Sequence, residues 1–239
     1  MEITTPAPLD PDAAAHDQLE AAPAAEPSAA EPSRDCPRCP RLVALRETLR
    51  VEHPTWWNAP VPVLADPDPW LAIIGLAPGL QGANRTARPF TGDRSGPLFW
   101  DTLIAAGLAE GVYTGRVEDA PVPKGIAIIN AVRCLPPENK PSPEEIRTCR
   151  PFLDADLAAM PSLRVVVALG AIAHQSAVKV LGGRLPKAPF AHLAEHAMPG
   201  GRTLIDSYHC SRYNQNTGRL TPEMFAAVFA RAIELREAR

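Results

Sequence analysis

The chain has 239 residues, of which 46% are hydrophobic, and its 24 basic and 27 acidic side chains give a formal net charge of −3. It contains no apolar run long enough to cross a bilayer and no export signal, so we expect a soluble, cytoplasmic protein and exclude a membrane protein. Five cysteines, an odd number, argue against a disulfide framework and favour a metal site.

The first 34 residues are predicted to form a disordered tail. Residues 1–33 contain sixteen alanines or prolines, seven acidic residues and no lysine or arginine. Such a stretch buries too little apolar surface to offset the entropy lost on ordering. Residues 35–239 are then one domain, which has 24 basic and 20 acidic groups once the seven acids are removed from the 27. Its charge of +4 permits a polyanionic partner without requiring one.

Four cysteines are the strongest signal for a bound group. A CxxC pair is followed by two distant cysteines, which gives the set Cys36, Cys39, Cys134 and Cys149. Their spacing predicts four thiolate ligands for one centre, and a [4Fe–4S] cluster and zinc both fit it. Such a centre would link the N-terminal segment to the rest of the domain through its four ligands. Unrelated buried thiols are the alternative.

The rest of the chain alternates apolar runs with helical patterns. Buried strands are predicted over 70–76, 125–132, 164–169 and 202–208, and helices over about 97–108, from Ser142, over 171–181 and from Thr221. This order predicts an α/β fold, a three-layer α/β/α sandwich around a four-stranded, mainly parallel sheet. Ligands bind such sheets at the carboxyl ends of the strands, so the loops that follow the strands are the candidate site.

The loop after the first strand runs from Gly75 to Asp93. Three glycines and a proline in its first eight residues allow a ligand to approach the backbone closely. Arg85 and Arg88 add positive charge, and Phe90, between polar and small residues, suits a stacking platform. The loop matches neither glycine-rich phosphate-binding motif. A purely structural strand-to-helix loop is the alternative.

The loops after the second and fourth strands carry polar side chains. Asn130 and Asn139 each offer a donor and an acceptor, which suits reading the edge of a base. A turn is the alternative role for Asn139. His209 opens the last loop and is followed by Arg, Tyr and Asn, residue types that contact phosphates and probe a groove. A structural histidine is the alternative there.

Together these segments resemble the uracil-DNA glycosylase superfamily, in particular its iron–sulfur family 5, also called type B. Residues from Gly75 to Asp93 are similar to the first motif of that family, with Ala87 in place of the usual glycine. The second motif matches at His209, Ser211, Asn214, Thr217, Gly218 and Arg219. The segment from Val132 to Pro141 also matches, and the resemblance extends from Cys36 to about Phe229.

The resemblance implies a monomeric enzyme that excises uracil from single- or double-stranded DNA and leaves an abasic site. Hypoxanthine, xanthine and ethenocytosine are further candidate bases. It also implies a [4Fe–4S] cluster rather than zinc on the four cysteines, and a location at the nucleoid. Two further positions depart from the pattern of the family: Cys210 stands where proline is frequent, and Asn130 stands where type B members often have a small residue.

The same resemblance implies roles for individual residues. Phe90 stacks on the flipped base, and His209 donates a hydrogen bond to the base oxygen that becomes negative. Other families have a carboxylate where this chain has Leu76, so Asp93 is the expected water-activating group, with a helix cap as the alternative. Asn139 helps to hold the base or the water. The remaining base-binding positions are Gly75, Leu76, Ala77, Gly79 and Asn130.

The implied DNA contacts come from two loops. They are Asn84, Arg85, Arg88, Ser211, Arg212, Tyr213, Asn214 and Arg219. Arg212 and Tyr213 are the candidate wedge that fills the gap left by the flipped nucleotide, and the other arginines are expected to meet phosphates.

Two other classes of function stay open at this stage. An iron–sulfur electron-transfer protein would explain the cysteines but not the two loop motifs. A non-catalytic binder of damaged DNA would account for the lack of a carboxylate at Leu76.

Overall fold

A computed structural model describes residues 31–238 of the chain. In chain order the elements are α1 (Pro40–Glu52), β1 (Leu64–Ala65), β2 (Leu71–Gly75), α2 (Ala83–Thr86), α3 (Gly96–Ala105), β3 (Ala109–Glu110), β4 (Val122–Pro123), β5 (Ile126–Asn130), α4 (Pro143–Ala158), β6 (Val165–Leu169), α5 (Ala171–Val180), β7 (Glu195–Ala197), β8 (Thr203–Ser207), α6 (Arg212–Asn216) and α7 (Pro222–Glu237). The four predicted strands are β2, β5, β6 and β8, and the four predicted helices are α3, α4, α5 and α7. No helix in this part of the chain is both long and apolar enough to span a bilayer.

The main sheet has six strands in the order β1-β5-β2-β6-β8-β7. Its four inner strands are parallel to one another, as predicted. The prediction of a four-stranded sheet was wrong, because β1 and β7 pair antiparallel with β5 and β8 and form the two edges. These edge strands are two and three residues long and partly exposed, so they leave no periodic apolar signal in the sequence.

Both faces of the sheet are covered, which explains why the inner strands are apolar throughout. Every residue of β2, β5, β6 and β8 is buried. Phe99 from α3 and Phe225 from α7 belong to the core on one face, and Leu157 from α4 and Ala177 from α5 belong to the core on the other. The predicted three-layer α/β/α arrangement is therefore confirmed around a larger sheet.

Helix α1 lies against the loop after β5 and the start of α4. Its Leu42 packs with Val132 and Cys149 in a separate small core. Arg41 of α1 donates from Nε to Glu145 of α4 at 2.8 Å. Glu145 also forms a capping box with Ser142, whose hydroxyl accepts from the Glu145 amide. One carboxylate thus stabilises the start of α4 and fixes α1 to it.

The predicted tail, residues 1–34, falls largely outside the described residues. Its last four residues are described, and they contact the body of the fold. The side chain of Glu31 accepts a hydrogen bond from the amide of Val63 at 3.0 Å, and the guanidinium of Arg34 stacks over Trp57 at 4.4 Å.

Candidate functional site

The carboxyl ends of β2, β5 and β8 open onto one cavity of about 730 Å³. Nine of the predicted site residues line it: Leu76, Ala77, Gly79, Phe90, Asp93, Asn130, Asn139, His209 and Ser211. They come from three loops that are far apart in sequence. The parallel register brings them together, because it places Gly75 at the end of β2 directly beside Asn130 at the end of β5. The volume is in the range typical of small-molecule sites.

Phe90 and Asn130 form one wall of the cavity, and Gly75 allows their close approach. A Cβ added to Gly75 would lie 2.8 Å from Oδ1 of Asn130 and 3.8 Å from Cζ of Phe90. Only 6% of Asn130 is exposed, and its amide group makes no side-chain hydrogen bond within residues 31–238. Asn130 therefore has a free donor and a free acceptor at the cavity wall.

Phe90 is held in a strained conformation. Its backbone has a φ of 54°, in the left-handed region that non-glycine residues rarely adopt. The indole Nε1 of Trp100 donates to the Phe90 carbonyl at 3.0 Å, and the Phe90 ring stacks on Phe99 with centroids 3.8 Å apart. These contacts fix the ring, so that one face packs on the core while the residue lines the cavity.

His209 lies at the cavity with its ring centroid 6.1 Å from that of Phe90. Burial lowers the pKa of His209 to about 4, so the imidazole is neutral at neutral pH. No hydrogen bond to its ring is made within the described part of the chain. Its carbonyl accepts from Nδ2 of Asn214 at 2.8 Å, which anchors the loop. A neutral imidazole with a free N–H is a suitable donor to a ligand.

The carboxylate of Asp93 has two different environments. Its Oδ1 accepts from the amides of Ser95 and Gly96, at 2.9 and 3.0 Å, and so caps the start of α3. Its Oδ2 faces the glycine turn, where a Cβ on Gly82 would lie only 2.5 Å away. Burial raises the pKa of Asp93, and the two amide hydrogen bonds oppose that rise. Asp93 is thus a helix cap that also presents an oxygen at the cavity.

Leu76 and Asn139 both line the cavity. The Leu76 carbonyl accepts from the amide of Val132 at 3.0 Å, which prolongs the pairing of β2 with β5, and its side chain can carry no proton. Asn139 is exposed, has a φ of 55° and lies in a single-turn helix at Pro137–Asn139. The predicted turn and the cavity position of Asn139 are therefore both observed.

The predicted DNA-contact residues divide into exposed and structural side chains. Arg85, Arg212, Tyr213 and Arg219 are exposed, with Tyr213 at 72%. The guanidinium of Arg219 lies over the ring of Tyr208 at 4.5 Å. Tyr213 follows Arg212 at the start of the short helix α6, whose N-cap is the hydroxyl of Ser211. Large exposed apolar area at this position is consistent with a contact surface.

Three less exposed residues of that set have structural partners, and Arg85 itself donates from Nε to the Gln81 carbonyl at 3.0 Å. Asn84 is 3% exposed and donates to Oδ1 of buried Asn58 at 2.9 Å, a position that argues against DNA contact. Arg88 donates to the Pro121 carbonyl and so fastens the segment between β3 and β4. Asn214 braces the His209 loop, as described above. Loop position alone does not reveal the direction of a side chain.

Arg94 was not predicted and lines the cavity. It is exposed and has no ion-pair or hydrogen-bond partner within residues 31–238. Its only sequence signal is its place directly after the first motif. A free guanidinium at the rim of a cavity is suited to an anionic ligand.

The four predicted metal ligands line a second, small cavity between α1, α4 and the loop after β5. Burial raises the pKa of Cys39 to about 11 and that of Cys134 to about 12, and the neighbouring Cys149 sulfur adds to both rises. Among the described residues, no three cysteine sulfurs lie within 4.8 Å of one another. Sulfurs around a single zinc ion, at Zn–S of about 2.3 Å, would be closer together than this.

His174, His196 and Asp206 form another group with metal-ligating side chains. Nδ1 of His174 lies 2.7 Å from Oδ1 of Asp206, and Nε2 of His196 lies 3.1 Å from the other oxygen, Oδ2. Nε2 of His174 also contacts the Ala188 carbonyl at 2.9 Å. Each of these contacts has the length of an ordinary hydrogen bond, so the network joins α5, β7 and β8 without an ion.

Comparison with known proteins gives one consistent result. Residues 62–232 match the family model described as "Uracil DNA glycosylase superfamily". The "Type-5 uracil-DNA glycosylase" of Thermus thermophilus is 44% identical over 84% of this chain and 93% of its own length. The protein of the same description from Pyrobaculum aerophilum is 40% identical over 83% and 88%. A "Type-4 uracil-DNA glycosylase" of Thermotoga maritima is 33% identical over 62% and 68%.

The environment of His209 predicts an unusual titration. In the unfolded chain a histidine titrates near pH 6.5, whereas the folded pKa is about 4, so between these values the unfolded state binds more protons. The stabilising contribution of His209 is thus complete above about pH 6.5 and is lost as the pH falls toward 4. Imidazole NMR of the folded protein should show one histidine that stays neutral to about pH 4, with a signal absent in His209→Asn. Titration of that signal near pH 6.5 would contradict the prediction.

Proposed function

The chain belongs to the uracil-DNA glycosylase superfamily, and we propose on that basis that it excises uracil from DNA as a monofunctional, hydrolytic N-glycosylase of base-excision repair. Its type-5 relatives are similar to it along most of its length. The observation that carries the proposal is the cavity where Phe90, Asn130, His209 and Asp93 converge. These are groups that can stack on a base, read its edge, stabilise the leaving anion and orient water.

The base must leave the stack before the bond can be reached. The face of Phe90 that does not pack on Phe99 would stack on the flipped uracil. The amide of Asn130 has both hydrogen-bonding groups free and would bind the polar edge of the base. Gly75 keeps that wall open, since any side chain there would meet Asn130.

His209 is the residue that would stabilise the leaving base. Cleavage of the N-glycosidic bond leaves an anionic base and a cationic sugar. The neutral imidazole donates its N–H to the base oxygen on which charge develops. Loss of one such preorganised donor reduces the rate by about 100- to 1,000-fold in comparable sites.

Asp93 is the proposed partner of the water and of the cationic sugar. Its Oδ1 is fixed by the start of α3, so Oδ2 is held in place without a further ordering cost. Asn139, at the rim of the cavity, would bind the base or the attacking water. Leu76 takes no part in proton transfer.

DNA would be bound by cations around the mouth of the cavity. Arg94 lines the cavity, Arg85 and Arg219 are exposed on the two motif loops, and these three would meet phosphates, with Arg212 exposed beside the wedge. Tyr213, with 72% of its surface exposed, is the wedge that would replace the flipped nucleotide. We propose a monomer in the cytoplasm, at the nucleoid, that accepts single- or double-stranded DNA, with hypoxanthine, xanthine and ethenocytosine as further bases.

We also propose that Cys36, Cys39, Cys134 and Cys149 hold a [4Fe–4S] cluster. Two observations support this. All four cysteines line one cavity, and no three of their sulfurs in the described part of the chain lie within 4.8 Å of one another, as the ligands of one zinc ion would. When bound, the cluster would join α1 to the loop after β5 and to α4, and so support the segment that carries Asn139. No step of base excision uses it.

A binder of damaged DNA without catalytic activity is the second candidate, because Leu76 stands where other families have a carboxylate. The decisive experiment uses purified protein in EDTA with oligonucleotides that contain one uracil, one hypoxanthine or no modified base. A glycosylase leaves strands that break at the uracil only after alkali. Retention of the uracil strand in a binding assay, with no alkali-sensitive site, would favour the binder. An iron–sulfur electron carrier would give neither result.

The role of Asp93 can be tested without changing Asp93. In Gly82→Ala, the new Cβ would lie 2.5 Å from Oδ2 and displace the carboxylate, and a misplacement of about 1 Å lowers rates by about 100-fold. In Gly79→Ala, the Cβ is 3.8 Å from the same oxygen, an ordinary contact, so this variant should retain more activity. Single-turnover excision rates measure the difference. Equal rates for the two variants would contradict a role for Oδ2.

The free guanidinium of Arg94 predicts one phosphate contact. Arg94→Gln should weaken binding to all DNA sequences and reduce the slope of log K against log salt by about 1. Arg236→Gln is the matched control, because Arg236 is exposed beside Trp70, at the opposite end of the sheet. Fluorescence anisotropy over a range of salt concentrations provides the slopes. An unchanged slope in Arg94→Gln would remove Arg94 from the DNA interface.

A further inference from the structure

Arg46 is a buried arginine beside the four cysteines. It lies on the inner face of α1, has 6% of its surface exposed and lines the same cavity as the sulfurs. Both terminal nitrogens donate to the carbonyl oxygen of Cys36, at 3.2 Å each. Its Nε is shielded from solvent and has no hydrogen-bond partner. One donor of this guanidinium is therefore buried without an acceptor.

The charge of Arg46 has no close ion pair. In the described part of the chain, the one carboxylate whose pKa its charge helps to lower, Asp35, has an exposed side chain and accepts a hydrogen bond from Arg50 at 2.7 Å. No carboxylate of residues 31–238 lies within 4.0 Å of its guanidinium. Arg133, another buried arginine close to the cysteines, also has an Nε without a partner, but its charge is paired with Asp156 and it donates to the Val61 carbonyl at 3.0 Å. A buried cation without a close anion is unfavourable, so this arrangement favours an anionic group in the cavity that Arg46 lines.

We propose that Arg46 is the counter-ion of the centre bound by the four cysteines, and that its Nε–H donates to a sulfur of that centre. This inference rests on the proposed cluster. Four thiolates give an iron–sulfur cluster net negative charge, which matches the missing anion. Charge and hydrogen bonds at the sulfurs set the reduction potential of a cluster, and a nearby cation favours the reduced form. Arg46 should therefore raise the potential and slow the loss of iron.

The test compares four proteins purified with their cluster: wild type, Arg46→Gln, Arg46→Lys and Arg147→Gln. Arg147 is exposed on α4, two residues before Cys149, so its loss removes a charge that water already screens. The midpoint potential and the rate of iron release to a chelator are measured. In Arg46→Gln the potential should become more negative, and iron release should be about 10- to 100-fold faster, as for other partners of metal ligands. Arg46→Lys should lie close to wild type, and Arg147→Gln should match it.

The lysine variant separates charge from structure. If Arg46 served only to hold the Cys36 carbonyl, glutamine and lysine would give similar proteins, and that result would overturn the proposal. If Arg46→Gln is recovered without iron, a lysine variant with iron and a near-wild-type potential supports the counter-ion role. Iron loss as rapid in the lysine variant as in the glutamine variant overturns it. Iron and sulfide absent from wild type would overturn the cluster itself, whereas uracil excision is scored in a separate assay.

Discussion

The burial of four parallel strands on both faces is the constraint on which the rest of the molecule depends. Strands β5, β2, β6 and β8 have no exposed residue, so their side chains are committed to the two cores. Only the strand ends reach a ligand, and parallel pairing puts the carboxyl ends at one edge. The in-register pair Gly75 and Asn130 is the result, since two loops separated by more than fifty residues start side by side.

Several site residues use one part of the side chain or backbone for folding and another for chemistry. Asp93 caps α3 with one oxygen and presents the other at the cavity. Phe90 packs on Phe99 with one face of its ring. The carbonyl of His209 anchors its loop, whereas its ring makes no hydrogen bond within the described residues. The folding contact fixes each group in advance, so binding a substrate requires little further ordering. Asn84 shows that a motif residue can also serve the fold alone.

The sequence predicted the features that are encoded locally. Apolar runs identified the four inner strands, and the capping box at Ser142 identified the start of α4. The four cysteines that were grouped by their spacing line one cavity, and their role as ligands stays a prediction. The sequence did not predict side-chain direction. A charged loop residue can line the cavity without a hydrogen-bond partner among the described residues, as Arg94 does, or turn back to a backbone carbonyl, as Arg85 and Arg88 do. Arg94 and Arg46 were missed for a similar reason: only the surroundings in three dimensions show that each lacks an anionic partner.

The edges of the sheet have a consequence for the behaviour of the protein at high concentration. An edge strand offers unpaired amides and carbonyls, and a long, apolar one recruits strands from other molecules. Here the outermost strands are β1, with two residues, and β7, with three, and both run antiparallel to the apolar strands that they cover. The most aggregation-prone segments, such as Val165–Leu169, are therefore enclosed on every side. The edges of this sheet are too short to serve as templates for intermolecular β-pairing.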